Sequence, residues 1–444
     1  MWESVLLVAA AIAALLHGNQ PPNAPDRRSP AEVLALKPAD FKSEVASAAG
    51  ERVVFEKGID AIKPKAAIDP ANDDGLPAAL EATALFNLDK GATRQRLLAA
   101  LPFLAQKPVD YQREVLTGAH TLYWKDAAPL LPAVLPQIRT PKEFAIGVYT
   151  VLRADDSPAT RAQMRTLLES SFPQWNSEPR LIALEHRLRV DPAQELAVRP
   201  PLADLLKAPA RPGYPVVYSF QRKNRENRGL AMVRGADGRF VRNADGSYFN
   251  IAQLAMAKSR LPGTITNGNT PQGLFTIVGT VTAENQWIGP TPALESKVPK
   301  EATVADYEHM ATMTPAPAPE WTEERYWSFF PDSWRGYAPM REVWLAGQAG
   351  RDEMWLHGNT VNPSYYRNEA HFPYAPSAGC MVAMEYWSKD DGSLVHSDQL
   401  ALIKALASTG KMDGYLIVVE IDDRNVPVQM ADVIAEVIAA EGRP

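Results

Sequence analysis

One cysteine, Cys380, stands in a chain of 444 residues. A single thiol excludes an internal disulfide and removes bridges as a guide to redox compartment. The spacing of His357, His371 and Cys380 also matches no standard zinc arrangement, so no metal site is expected. An excess of basic charge is missing as well: 46 Lys and Arg face 52 Asp and Glu, for a formal charge of −6. This argues against nucleic acid as a partner, because such binding depends on a basic surface neutralising phosphates. Long apolar runs are scarce. Val5–Leu16 is too short to cross a bilayer comfortably, and it has the length of a signal-peptide core. No Lys or Arg precedes it, no small-x-small cleavage site follows, and no cysteine is there to carry a lipid. Residues 1–18 read as a secretory signal or an uncleaved anchor. That implies export to the periplasm or cell envelope, with membrane attachment in the anchored case.

What is present is the composition of a soluble globular protein, 46% hydrophobic and 22% charged, long enough for two or three domains. Residues 19–75 form a Pro/Ala-rich linker, a tether with short helices over Ala31–Leu36 and Ser43–Ala49. Residues 76–211 carry apolar residues at helical spacing over Ala78–Leu88, Arg94–Ala105, Tyr111–Trp124, Ala127–Ile138, Lys142–Arg153, Thr160–Ser170 and Arg180–Arg189. The two interleaved series recur at roughly thirty residues, as in stacked helical hairpins of the HEAT or TPR kind. Such an array offers a surface for a protein partner or positions the next domain. His120 and His186 lie on it as packed or exposed residues.

Pro212–Gly213 ends the helical pattern, and residues 212–425 read as a β-rich domain. Strands are expected at Tyr214–Phe220, Arg239–Arg242, Tyr248–Ile251, Leu274–Val281 and Gly414–Ile421. Asp237-Gly238 and Asp245-Gly246 mark tight turns, and the charged run Arg222–Arg228 reads as a solvated hairpin turn. Glu284–Ala346 is an aromatic insertion, read equally as a lid or as ordinary packing. Helices are expected at Glu385–Lys389 and Asp398–Ala407, with His396 in the exposed turn between them. Residues 426–444 supply a final helix over Gln429–Ala440. The fold class is therefore multidomain, a helical-repeat-like array followed by a mainly β catalytic domain.

The chemistry concentrates in Trp355–Met384. A thiol near neutrality is only a few per cent thiolate and needs a base. His357, in Leu356-His357-Gly358-Asn359, has the pKa range to take that proton and return it. Gly379, in Ser377-Ala378-Gly379-Cys380, permits a tight turn whose N–H groups hold an oxyanion, with Ser377 shaping it. The Gly358 carbonyl or the Asn359 side chain orients the imidazole. Trp355, His371, Tyr374, Trp327 and Trp334 are candidate substrate-binding side chains.

This stretch resembles the catalytic core of L,D-transpeptidases (YkuD-type), in which a His-Gly strand is followed by a loop and Ser/Thr-His-Gly-Cys. Asn269–Ile277 is similar to that family's Thr-Pro-x-Gly-x-Phe-x-Ile strand entry, and Gly414–Ile421 to its closing strand. The resemblance covers roughly Tyr214–Asp423. It departs at Ala378, where the family has a second histidine, and at Val382, where it has an arginine. These departures bear on substrate choice more than on reaction type. The resemblance implies a cysteine acyl-enzyme acting on peptidoglycan stem peptides without metal or organic cofactor. Resolution by an amine gives a cross-link, and resolution by water gives a carboxypeptidase, an endopeptidase or an amidase releasing wall-linked protein. A non-catalytic cell-wall scaffold is the remaining alternative.

Overall fold

Two patterns of apolar spacing, helical first and alternating afterwards, build two kinds of architecture. The computed structural model describes residues 26–63, 68–88, 90–310 and 319–442, so the signal or anchor reading of residues 1–18 lies outside the described residues. The helical half contains Leu76–Phe86, Lys90–Ala100, Val109–Leu122, Pro141–Ala154, Pro158–Ser171 and Pro179–Arg189. Proline occupies the first turn of several of these, where its missing N–H costs nothing. Ser157 caps one helix by accepting from the Thr160 N–H. Val109–Leu122 packs against both Leu76–Phe86 and Pro141–Ala154. Leu116, Leu135, Phe144, Leu168 and Leu184 share their core with Leu261 and Ile265 from the β half, which ties the two halves together.

The expected helix Ala127–Ile138 is broken into Trp124–Ala127, Leu131–Val134 and a 3-10 turn at Leu135–Gln137. Pro129, Pro132 and Pro136 each remove an amide that a continuous helix needs. For the same reason Arg94–Ala105 stops at Ala100, and a 3-10 segment at Leu101–Gln106 takes over around Pro102.

The described part of the Pro/Ala-rich segment packs on the rest of the chain. Arg27 Nη1 donates to the Thr280 carbonyl at 2.6 Å, and the Arg28 N–H donates to Thr280 Oγ1 at 2.9 Å. Val33 and Phe41 are buried in the core of the β half. Where a helix was expected over Ser43–Ala49, a 3-10 turn at Glu44–Ala46 leads into the helix Ala48–Ile62, which packs on Leu76–Phe86.

Eight strands close a barrel: β1 (Val216–Arg222), β2 (Gly229–Arg234), β3 (Ile251–Leu254), β4 (Gly273–Val281), β5 (Ala293–Lys297), β6 (Leu356–His357), β7 (Met381–Ala383) and β10 (Gly414–Asp422). Their order is β1-β10-β4-β5-β6-β7-β3-β2. The pairs β1–β10 and β6–β7 are parallel. Closure leaves no open edge among these strands. Asp237-Gly238 and Asp245-Gly246 do turn, with glycine φ values of 85° and 84°. The strands expected beside them shrink to bridges at Phe240 and at Arg242–Tyr248, followed by β3.

Two further expectations are corrected, and the choice between two readings of the aromatic insertion is decided. Glu385–Lys389 is not a helix: β8 (Glu385–Trp387) pairs with β9 (Leu394–Ser397) across a turn that contains Gly392 at φ 73°. His396 therefore lies on β9, where its exposed ring bonds Asp398 at 2.9 Å. The run Arg222–Arg228 is the β1–β2 hairpin turn as expected, but it is not solvated. Arg222 is fully buried and pairs with Asp422 at 2.6 Å and with Asp432, while Arg225 pairs with Glu420 at 3.0 Å. The aromatic insertion is core rather than lid. Tyr326, Phe330 and Trp334 are buried, and Tyr307 packs edge-on against Trp321 and Phe329. Asp398–Ala407 is helical as expected, and the last helix is Ile434–Glu441 behind a 3-10 turn at Met430–Asp432. Among the described residues no helix is long and apolar enough to cross a membrane.

Candidate active site

Parallel pairing of β6 with β7 sets Leu356 against Met381 and His357 against Val382. The Met381 N–H donates to the Trp355 carbonyl at 2.9 Å, which extends the register back to Cys380 beside Trp355. Side chains alternate between the two faces of a sheet. Leu294, Leu356 and Met381 join the barrel core, whereas Val281, Ala293, Trp355 and Cys380 form a separate cluster on the opposite face. His357 shares the register parity of Trp355 and Cys380. The sequence-predicted base and nucleophile thus lie on one face of neighbouring strands, offset by two positions.

They are not in hydrogen-bond contact. The Cys380 Sγ accepts from the Trp355 N–H and donates to the Glu353 carbonyl, both at 3.3 Å. Nδ1 of His357 is engaged with the Gly358 carbonyl, so this carbonyl, not the Asn359 side chain, orients the ring. The Asn359 carbonyl instead accepts from Trp387 Nε1 at 2.8 Å. Cys380 is 8% exposed and His357 4%. Burial pushes the thiol up to about 11 despite the Trp355 N–H and the nearby Arg351 charge. Burial likewise pulls His357 down to about 4. The resting pair is a neutral thiol beside a neutral imidazole.

The turn before the sulfur is tightly held. Gly379 has φ 125°. Its N–H donates to Ser377 Oγ at 2.9 Å, and the Ser377 hydroxyl donates to the Cys380 carbonyl at 2.8 Å. Ser377 therefore does shape the turn. It also occupies the Gly379 N–H, which corrects the expectation that this group is free for an oxyanion. Thr270 Oγ1 donates to the Gly379 carbonyl at 2.8 Å, so the Thr270-Pro271-Gln272-Gly273 segment braces the turn.

The remaining candidates divide. Trp355 is buried against Cys380, and its indole N–H has no partner among the described residues. Tyr374 is 2% exposed and directs its hydroxyl to the Ala252 carbonyl at 3.4 Å. Trp334 is fully buried, with its indole donating to the Pro201 carbonyl at 2.9 Å, and Trp327 Nε1 donates to Glu323 at 3.1 Å. Trp334 is a packing residue of the insertion, and Trp327 packs, partly buried, against the same core. His371 is 2% exposed, and neither of its ring nitrogens has a partner among the described residues. Burial, followed by the Arg260 charge, lowers it to about 4.

Sequence reasoning missed Arg351 and Glu385. The Arg351 guanidinium is buried behind Gly379, donating to the carbonyls of Asn269 at 2.9 Å and Gly268 at 3.1 Å. Its charge favours the thiolate of Cys380. The available signal was its position just ahead of Trp355-Leu356-His357, in a chain with no arginine at position 382. Glu385 abuts the His-Gly turn so closely that a Cβ on Gly358 would fall 2.0 Å from its carboxyl carbon. Ser397 Oγ donates to it at 2.7 Å, and burial raises it to about 8. Among the described residues no group of three or more His, Cys, Asp or Glu is arranged to hold a metal. No protein-family model, curated protein or solved structure matches the chain.

Proposed function

We propose that this protein is an exported cysteine acyltransferase of the L,D-transpeptidase kind, acting on peptidoglycan stem peptides. The observation that carries the reading is the β6–β7 pairing, which sets His357 and Cys380 on one face of the barrel. In the reaction the Cys380 sulfur bonds to a stem carbonyl as its proton passes to His357. The C–N bond then breaks, and the departing amine takes that proton. An amine of a second stem attacks the thioester, forms the new amide and restores the thiol. With the Gly379 N–H held by Ser377, the Cys380 N–H is left as the oxyanion donor in this reading. Because thiol and imidazole are both neutral at rest, activation accompanies substrate arrival and the imidazole must then reach the sulfur. The helical half supplies the surface for a protein partner.

A second reading, a non-catalytic wall scaffold, is favoured by the burial and high pKa of the thiol. One experiment separates the two. Purified protein is incubated with isolated sacculi, and the muropeptides are analysed by mass spectrometry. New cross-linked dimers, absent with Cys380→Ala and with His357→Ala, are the expected result. Shortened fragments alone replace transfer by hydrolysis. Unchanged muropeptides, together with a Cys380 that iodoacetamide leaves unmodified in the folded protein, overturn the catalytic reading in favour of the scaffold.

A further inference from the structure

We infer that the seam between the helical half and the barrel contains an oxyanion site, a cavity of about 310 Å³ lined by Arg153, Arg187, Lys223, Arg225 and Arg260. It takes a small ligand bearing carboxylate or phosphate. The inference does not rest on the acyl-transfer reading. Charge accounting carries it. Against these five cations the lining contains a single acid, Glu226. Three of the five are compensated: Arg187 by Asp156 at 2.6 Å, Arg225 by Glu420 at 3.0 Å, and Arg260 by Glu226 at 3.1 Å and Glu369 at 3.4 Å. Arg153 and Lys223 form no ion pair among the described residues. Arg153 donates to the His120 carbonyl at 2.6 Å and stacks over Trp124 at 5.4 Å, so its position is fixed. The acid that acts on its charge, Glu226, is already paired with Arg260; Lys223 feels Glu420, already paired with Arg225, and, more weakly, Asp191 and Asp423.

Two further observations point the same way. Arg187 Nη1 is buried without a hydrogen-bond partner among the described residues. Arg260, which reaches the cavity from the barrel side, sits at φ 58°, a conformation that a side chain of its size seldom adopts. Strain of this sort is characteristic of sites where function fixes a residue's direction. Gathering like charges into a partly desolvated cavity is costly unless an anion neutralises them. Guanidinium forks and an ammonium together recognise carboxylate and phosphate oxygens by charge-assisted hydrogen bonds. The volume fits a small molecule or the end of a larger one.

The site is mechanically connected to the Cys380 turn. Arg225 Nη1 donates to the Thr270 carbonyl at 3.2 Å, and Thr270 Oγ1 holds the Gly379 carbonyl.

The test is calorimetric titration of the intact chain with inorganic phosphate and, separately, with glutarate at low ionic strength. One saturable site is expected for at least one anion, and the tighter of the two identifies the ligand's oxyanion. Lys223→Gln and Arg153→Gln should each weaken binding about ten-fold or more, while Lys42→Gln, at an exposed pair with Asp391, should leave it unchanged. Lys223 forms no side-chain hydrogen bond among the described residues, so K223Q is expected to fold normally, as a wild-type melting curve would show. The inference is overturned if neither anion saturates. It also fails if K223Q binds like the wild type, or if K42Q weakens binding as much as K223Q does.

Discussion

Gly379 shows how little freedom the turn before the sulfur has. Its φ of 125° is one that side chains rarely adopt, and a Cβ there would lie 2.2 Å from Arg351 Nη2 and 2.6 Å from the Gly268 carbonyl. Arg351 cannot swing aside without giving up the carbonyls of Asn269 and Gly268, and a backbone oxygen cannot retreat like a flexible side chain. Gly379→Ala should therefore cost roughly 2–4 kcal/mol, read as a lowered urea midpoint. Gly246→Ala provides the comparison, because its φ is 84° but nothing lies within 4 Å of the added carbon. Backbone strain alone operates there, and the loss should be about 1 kcal/mol. Equal losses at the two positions would mean that packing against Arg351 contributes nothing.

At the scale of elements, the most consequential correction is the run that opens at the end of β1. Arg222 donates to Asp422, Asp432 and the carbonyls of Val426 and Pro427, joining β1 to β10 and to the segment before the last helix. Arg222→Ala would leave the carbonyls of Val426 and Pro427 without their donor and the two carboxylates, both partly exposed, to Arg424 alone. With Arg424 still pairing both carboxylates, the cost comes from the lost hydrogen bonds and the void, about 2–4 kcal/mol, so the denaturation midpoint should fall with an unchanged m-value. A loss under about 1 kcal/mol would mean that water replaces the guanidinium easily. Composition made this run look solvated because its partner Asp422 is 200 residues away along the chain. The helices of the first half were legible because their apolar spacing is local, and they were misjudged where Pro102, Pro129, Pro132 and Pro136 interrupt that spacing. β8 was misread for the same reason as the arginine run: Glu385–Trp387 has no internal alternation to betray it, and β9 and Ser397 make it a strand. In the site, His357 and Cys380 were legible as a motif. Burial of the sulfur was not, since the residues around it, Val281, Ala283 and Ala293, come from the β4–β5 region.

Across the whole molecule, buried ionisable groups pull stability in opposite directions with pH. Burial lowers His120 to about 3, and His357 and His371 to about 4, from 6.5. Their unfolded forms bind protons first, so the stability they contribute is present above pH 6.5 and is lost as pH falls toward 4. Burial raises Glu114, Glu301 and Glu342 to about 7 and Glu385 to about 8, from 4.5. Their contribution is present below pH 4.5 and is lost as pH rises through 7 to 8. Between pH 4.5 and 6.5 the three histidines oppose the four glutamates, so stability should decline only gently with rising pH there, by about 1.4 kcal/mol per pH unit, and fall more steeply on either side. Glu385 is the sharpest probe of the alkaline side, because it is buried beside the His357–Gly358 turn and its shift corresponds to on the order of 4 kcal/mol at full ionisation. Glu385→Gln keeps an acceptor for Ser397 and removes the charge. Its melting temperature should exceed the wild type by several degrees above pH 8 and match it near pH 4.5. A gain of equal size at both pH values would mean that shape, not ionisation, limits stability at this position, and the carboxyl beside the His-Gly turn would then carry no pH dependence of its own.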